Sequence, residues 1–333
     1  MVQKYFMGSI FTLVVGLMLA FFIGGLPALW ITLVLGILEV SLSFDNAVVN
    51  AKVLANMEEV WRKRFVTWGM LIAVFGMRLI FPLLIVSITM WIDPVSSLML
   101  AINEPTQYQH ILESVHISVM GFGGTFLGMV ALKFFIDYEK DVHWVTPIEN
   151  KLTVLGKIEA IQAAIMLGIV YITSVFIAEH SIEESHSFVI ASMFGLILYI
   201  LVDGIEAFIG VDEGVVTGVV VKSGIASFIY LEVLDASFSF DGVLAALALT
   251  NNIFIIALGL GIGAMAVRSL TLMLVDKGTV EQYTYLEHGA FAAIMALSLI
   301  MFVNTVYEIP ETITGLIGVV LLGLSVVSSI KRK

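Results

Sequence analysis

Two copies of one short motif decide how this chain folds. Residues 39–45 read EVSLSFD and residues 235–241 read DASFSFD, so both follow the pattern acid-x-Ser-x-Ser-Phe-Asp. Each copy lies inside a long apolar stretch. The next apolar stretch after each copy contains a lone arginine, which is Arg78 after the first copy and Arg268 after the second. The same features in the same order indicate an internal repeat.

The composition around these motifs is that of an integral membrane protein. Hydrophobic residues make up 59% of the 333 residues and charged residues only 13%, whereas a soluble domain carries about 25% charged residues. The same composition argues against disorder. The chain has no cysteine, which excludes thiolate metal sites, and its net charge of −11 argues against a nucleic-acid partner.

Ten apolar stretches are long enough to cross a bilayer, which takes about 17–25 residues. The first could instead be a secretory signal peptide, but no A-x-A cleavage site follows it. We therefore predict an all-α, polytopic protein with lipid as its surroundings. The predicted spans are 7–24, 27–51, 65–92, 114–136, 158–179, 187–209, 223–249, 252–275, 287–306 and 312–330.

Basic residues predict the orientation of these spans. Of the 16 Lys and Arg residues, Arg78 and Arg268 fall inside spans, and all the others fall on one side of the predicted membrane. The positive-inside rule then places both termini in the cytoplasm. A multi-pass protein of the bacterial plasma (inner) membrane is the expected location.

The number of spans between the two motifs predicts their relative direction. Copies separated by five spans must run oppositely, so the sequence predicts two inverted five-helix repeats, 1–180 and 181–333, in one membrane domain. Inverted repeats are common in secondary transporters, whose sites lie near the midplane at the repeat interface. The alternative is that an ancestral duplication persists without transport.

The motif places carboxylates near the middle of the bilayer, where inserting a charged side chain costs at least ~2.5–3.5 kcal/mol of free energy. Such residues are therefore candidates for a functional role. Glu39 and Asp45 would not face one ligand on a straight helix, because six residues separate them by about 240°. If the Ser-x-Ser-Phe stretches unwind into broken helices, the acids of both copies can converge with serine hydroxyls and backbone carbonyls. Alternatively, the serines cap helix turns and the acids only pair with the arginines. The predicted metal-site residues are Glu39, Ser41, Asp45, Asn46, Asp235, Ser237 and Asp241.

An oxygen-only site favours a hard divalent cation as substrate, such as Mn²⁺, Ca²⁺ or Mg²⁺, and the sequence gives no sign of an organic cofactor. We expect Arg78 and Arg268 to compensate the acids when no cation is bound. The same acids could load protons instead of a metal, which makes protons a candidate counter-ion. Weaker accessory candidates are Glu232, one turn before Asp235, and the pair Glu113 and His116, which are three residues apart.

Residues 38–47, LEVSLSFDNA, resemble the acid…Asp-Asn signature of TerC-like integral membrane proteins. The basic loop, the arginine span and the second motif are similar to that family as well, over about 27–90 and 225–305. The resemblance implies manganese export or metal homeostasis, and an inverted-repeat fold near that of LysE-type exporters. It also implies metal-site roles for both pairs of motif acids and for Asn46. Gly242 replaces the second asparagine, which suggests an asymmetric site.

Together these features predict a secondary transporter that exports a divalent cation, most readily Mn²⁺, by alternating access. Three alternatives stay open: a non-transporting metal-binding accessory, a Ca²⁺ exporter, and an exporter of an organic solute such as an amino acid. Two intramembrane aspartates could also form a protease dyad, but the Gly-x-Gly-Asp motif of that class does not occur. We therefore expect no enzymatic activity.

Overall fold

The structure is a computed structural model that describes residues 2–55, 57–69, 72–138, 140–158, 160–210, 224–307 and 309–332. Within these ranges, helices are the only regular secondary structure, and two π-helical segments, Phe65–Gly69 and Ile72–Ile80, precede α5. The α-helices are α1 Val2–Tyr5, α2 Met7–Leu42, α3 Phe44–Ala55, α4 Glu59–Arg64, α5 Phe81–Met90, α6 Pro94–Asn103, α7 Pro105–Ser114, α8 His116–Ile136, α9 Thr146–Leu155, α10 Ile161–Ala178, α11 Ile182–Gly210, α12 Gly224–Leu249, α13 Ile253–Asp276, α14 Thr279–Gln282, α15 Leu286–Asn304 and α16 Glu311–Arg332.

Seven helices in the described part of the chain are long and apolar enough to cross a membrane: α2, α8, α10, α11, α13, α15 and α16. The number is up to eight if a bent pair, Phe75–Met90 with Pro94–Asn103, forms one span. The prediction of an all-helical, multi-pass membrane protein is therefore confirmed. Each of the ten predicted stretches also coincides with helical segments among the described residues. Their division into ten spans stays a prediction.

The long helix α2 bends at the predicted boundary between the first two spans. Gly24 and Gly25 depart from helical geometry, and Gly25 has φ 67° and ψ −154°, a conformation that residues with side chains rarely adopt. Pro27 follows and has no N–H to donate to the helix. The two parts of α2 can therefore point in different directions although they are continuous in sequence.

The two motif copies are less broken than expected. Between α2 and α3 only Ser43 leaves helical geometry, with φ −102° and ψ 14°, and its N–H still donates to the carbonyl of Glu39 at 3.0 Å. The prediction that the second copy opens is wrong, because α12 continues through it. The Ser237 hydroxyl donates to the Val233 carbonyl at 3.0 Å within that helix, so the serine bonds to its own helix and leaves the ladder intact.

Glycines allow α2 and α13 to pack with their backbones close together. A methyl group on Gly259 would lie 2.5 Å from Cβ of Leu35, and one on Gly263 would lie 2.4 Å from Cβ of Glu39. Small residues four apart permit such close crossings in membranes. The crossing holds Glu39, which is 2% exposed, in the interior.

Polar contacts gather the chain termini and several loops at one end of the helix bundle, named here the basic end. There, basic residues contact the segment that connects α13 with α15 or the residues that flank it, and α14 lies within that segment. The contacting pairs are Lys4 with Asp276 at 2.7 Å, Lys52 with Glu287 at 2.9 Å, and Arg332 with the Tyr285 hydroxyl at 3.1 Å.

Candidate functional site

Arg78 joins the first acids of the two motif copies. Its Nη2 donates to Oε1 of Glu39 at 2.5 Å, and its Nη1 donates to Oδ2 of Asp235 at 2.7 Å. All three side chains are buried, with Arg78 only 3% exposed. Two carboxylates thus face one guanidinium, so the cluster has an excess of negative charge when both acids are ionised. Such a cluster attracts a cation in a medium of low dielectric constant.

The arginine lies on the second π-helical segment, Ile72–Ile80. A π-helix contains an extra residue per turn and is frequent at functional sites. This segment packs against α12, which brings Arg78 to Asp235. The sequence predicted that Arg78 pairs with the acids, but its periodicity contained no sign of the π geometry.

Asn46 and Ser43 complete the hydrogen bonds of these acids. Asn46 Nδ2 donates to Oδ1 of Asp235 at 2.8 Å, and the Ser43 hydroxyl donates to Oε1 of Glu39 at 2.9 Å. Asn46 follows the first copy and Asp235 belongs to the second, so this bond ties the two copies together. Gly242, which replaces the second asparagine, lies where a methyl group would be 3.1 Å from Oε2 of Glu39.

Asp45 faces a different space from Glu39. It lines a cavity of about 530 Å³, named here the Asp45 cavity, whose other walls include Ser41, Phe238 and Thr314. Its Oδ1 accepts the backbone N–H of Asn46 at 2.9 Å, and its side chain is otherwise turned towards α16 near Gly318. The Asp45 cavity therefore ends at one motif acid. Gln109 and Glu113 of α7 line it as well.

A second, much smaller space borders the Arg78 cluster. This Glu232 chamber has a volume of about 40 Å³, and Asn50, Asp235 and Arg268 line it. Glu232 is 9% exposed, and neither of its carboxylate oxygens has a hydrogen-bond partner among the described residues. Asn46 and Arg78 line the chamber too.

The predicted convergence of four acids on one ion is not found among the described residues, where no group of three His, Asp or Glu is placed to hold a metal. Arg78 lies between Glu39 and Asp235, and Asp45 points into the cavity because the helix is interrupted only at Ser43. The side chain of Asp241 lies outside the described part of the chain. Ser41 lines the cavity, but its hydroxyl donates to the Ile37 carbonyl at 2.9 Å.

The accessory candidates divide between the two spaces. Glu113 and His116 line the Asp45 cavity, and Glu113 also accepts a hydrogen bond from Gln109 at 2.7 Å. Glu232 and Arg268 line the smaller chamber. Glu113 and His116 therefore belong to one space, and Glu232 and Arg268 belong to the other.

A buried glutamate at the basic end of the bundle was not anticipated. Glu149 of α9 accepts from Lys140 Nζ at 2.8 Å and from the backbone N–H of Val145 at 2.8 Å, and His288 of α15 lies 3.5 Å away. Burial opposes ionisation, but the Lys140 ammonium and the Val145 N–H outweigh it and lower the pKa of Glu149. No spacing pattern in the sequence links 140, 149 and 288, because only the fold brings them together.

The helices and the buried charged cluster define a multi-pass helical membrane protein. Residues 44–333 match the family described as "Protein of unknown function (DUF475)", and the chain belongs to that family. It is similar to uncharacterized membrane proteins of Rickettsia conorii, at 26% identity, and Rickettsia felis, at 24% identity, over 107 residues in each case. These matches cover 32% of this chain and 35% of each relative, so the chain spans about a third of the length of the curated relatives it matches. No solved structure gives a significant match.

Proposed function

We propose that this protein is a secondary transporter that exports a divalent metal cation, with Mn²⁺ as the preferred substrate. The observation that carries the proposal is the meeting of the two motif copies at Arg78, where Glu39 and Asp235 share one guanidinium. Buried, hydrogen-bonded acids beside a narrow chamber, with a wide cavity at the neighbouring motif acid Asp45, are features that an ion pathway needs. The resemblance to TerC-like proteins supports the choice of Mn²⁺.

The proposed architecture is ten spans in two inverted repeats, 1–180 and 181–333. Reciprocal packing supports it: the segment with Arg78 packs on α12, which carries the second motif, and α13 with Arg268 packs on α3. Glu39 and Asp235 occupy equivalent motif positions and share Arg78. We place the protein in the plasma membrane. In this arrangement the basic end faces the cytoplasm, and the Asp45 cavity faces the outside of the cell.

Transport follows from exchange of positive charge at the acids. A divalent cation entering from the Glu232 chamber would compete with Arg78 for Glu39 and Asp235. All three side chains are buried, so water does not solvate their charges and each acid needs a positive partner. Asn46 adds an amide oxygen next to the same acids. Displacement of Arg78 would let the cation move to Asp45, from which the cavity leads to the outer side. Protons on the acids are the proposed counter-ion.

The preference for a hard cation rests on the ligand types. Carboxylate, amide, hydroxyl and backbone oxygens line the pathway, and Mn²⁺, Mg²⁺ and Ca²⁺ prefer such ligands. The chain contains no cysteine that would favour a softer metal. These ligands therefore favour a hard divalent cation over copper or other thiophilic metals.

The test is flux in proteoliposomes that contain the purified protein. We expect Mn²⁺ movement that is lost in Asp45→Asn and Asp235→Asn, while Glu183→Gln, at an exposed acid of α11 away from the site, keeps full activity. Parallel assays with Ca²⁺, Mg²⁺ and lysine identify the substrate. Mn²⁺ binding without flux in a correctly folded protein would instead establish a metal-binding accessory, and flux unaffected by both aspartate variants would overturn the proposed pathway.

A further inference from the structure

The chain turns sharply after α5, on the side away from the basic loops. Trp91 ends α5 with φ 54° and ψ 39°, a left-handed conformation that is uncommon for a residue other than glycine. The helical stretch Phe75–Met90 then meets α6 at 103°, so α6 runs across the direction of that stretch. With ten residues, α6 is about 15 Å long, which is half the thickness of the hydrocarbon core. It is therefore too short to cross the membrane.

One face of α6 packs against the rest of the protein. Ser97 and Ala101, four residues apart and therefore on one face, are buried, at 0% and 3% exposure. The Ser97 hydroxyl donates to the Leu83 carbonyl of α5 at 3.0 Å. The orientation of the helix about its own axis is thereby determined.

The remaining surface of α6 divides into two neighbouring strips of opposite character. Val95, Met99 and Ile102 share one strip and are 66%, 55% and 42% exposed. Ser96 and Asn103 form the strip beside it and are exposed as well. An apolar strip next to a polar strip is the pattern of a helix that has hydrocarbon on one side and water on the other.

The apolar strip continues the exposed apolar surface of α5. Ile88 of α5 is 71% exposed and Trp91 is 93% exposed, which suits a tryptophan at the membrane–water boundary. No charged residue occurs from Pro94 to Asn103, and the flanking residues Asp93 and Glu104 are both acidic. This charge pattern gives anionic lipid headgroups nothing to bind.

We propose that α6 lies in the plane of the membrane interface, with Val95, Met99 and Ile102 in the acyl boundary of the leaflet opposite the basic loops, against neutral lipid headgroups. The inference rests on the bend at Trp91 between α5 and α6, named here the α5–α6 elbow, and on the exposure of the α6 side chains. It is independent of any transport activity. Its consequence is that the bilayer surface holds the far end of the helical stretch Phe75–Met90, which carries Arg78.

The absence of cysteine makes the proposal directly testable with single spin labels. Val95→Cys and Met99→Cys in phosphatidylcholine nanodiscs, one copy per disc, are compared with Ser96→Cys and Asn103→Cys on the adjacent strip. We expect the labels at 95 and 99 to collide with oxygen several-fold more often than with a water-soluble nickel chelate, and the labels at 96 and 103 to show the reverse ratio. Added phosphatidylglycerol should leave all four ratios unchanged.

All four side chains are exposed, so labelling should leave folding intact, and size-exclusion elution checks this. Equal nickel accessibility at 95, 99 and 96 would place α6 in water and overturn the proposal. Low accessibility to both reagents at 99, with dipolar broadening when two copies share a disc, would show that a second copy covers the strip and would overturn it as well.

Discussion

Asn46 and Asp235 are hydrogen-bonded across the two motif copies, with Nδ2 of Asn46 2.8 Å from Oδ1 of Asp235. The other oxygen of that carboxylate accepts from Arg78 at 2.7 Å. One aspartate of the second copy is therefore held by two residues of the first half of the chain. This relationship makes the stability of the protein sensitive to changes at the site.

Replacing Asn46 with alanine should loosen this link. The variant leaves one oxygen of Asp235 without its donor, and a hydrogen bond to a charged group inside a membrane protein contributes about 1–2 kcal/mol. We expect a lower midpoint of thermal unfolding in detergent. Asn103→Ala, at an exposed asparagine of α6, is the control and should leave the midpoint unchanged; an equal effect of both variants would contradict the role of the cross-copy bond.

Arg78→Gln should destabilise the protein more strongly. It leaves Glu39 and Asp235 as buried acids without a counter-charge, and breaking a buried ion pair from one side costs about 3–5 kcal/mol. The double variant Arg78→Gln/Glu39→Gln removes one of the two uncompensated charges, so we expect it to unfold at a higher temperature than the single arginine variant. Additive losses in the double variant would show that the charges do not interact.

Gly263→Ala should disturb the crossing of α2 and α13. Its methyl group would lie 2.4 Å from Cβ of Glu39 and 2.8 Å from the Gly36 carbonyl oxygen, so the two helices would have to separate. Overpacking of this kind costs about 1–3 kcal/mol. Gly168→Ala on α10, where no atom of the described residues lies within 4 Å of the new methyl group, is the matched control. Thermal unfolding of both variants tests the prediction, and equal midpoints would contradict it.

Glu149 should stabilise the basic end of the bundle in a pH-dependent way. Because its pKa is lower in the folded protein than in the unfolded chain, its contribution is complete above the ordinary glutamate pKa of about 4.3 and is lost as pH falls through the lowered value. Glu149→Gln should therefore unfold at a lower temperature than the natural protein near neutral pH, with a difference that shrinks at more acidic pH. Thermal unfolding across a pH series measures this, and a constant difference at every pH would refute the ionic role.

Water should reach the Asp45 cavity. Thr314→Cys introduces a thiol into the cavity wall, whereas Leu316→Cys introduces one on the outer face of α16, where the leucine is 62% exposed. A charged methanethiosulfonate reagent should modify the first and block Mn²⁺ flux, and leave the second unmodified in liposomes. Modification of the residue-316 thiol alone would mean that the cavity is closed and that this face of α16 is wet.

The sequence predicted the segments that become helices, because hydrophobic length is a local property. Of the candidate residues that it indicated, the structure brings Arg78 and Asn46 together with two acids, Glu39 and Asp235. It did not predict which acids share a counter-ion. Glu39 turns towards Arg78 and Asp45 turns towards the cavity, since the helix continues almost unbroken between them. A prediction of direct convergence required an unwound stretch that the hydroxyl bonds of Ser41 and Ser237 to their own helices do not produce.

Features that depend on contacts between distant segments could not be predicted. The α5–α6 elbow depends on one residue, Trp91, in a conformation that its side chain gives no reason to expect. The Glu149 cluster depends on α9 docking beside His288. Neither leaves a periodic pattern in the sequence.

The π-helical geometry around Arg78 has a consequence for how this gene can change. A π-helix closes its hydrogen bonds over five residues and an α-helix over four, so a return to α-helical geometry could absorb the deletion of one residue between 72 and 77 with little rotation of Arg78. An insertion has no such outlet in a segment that is already π-helical, so we expect this segment to tolerate the loss of a residue better than the gain of one.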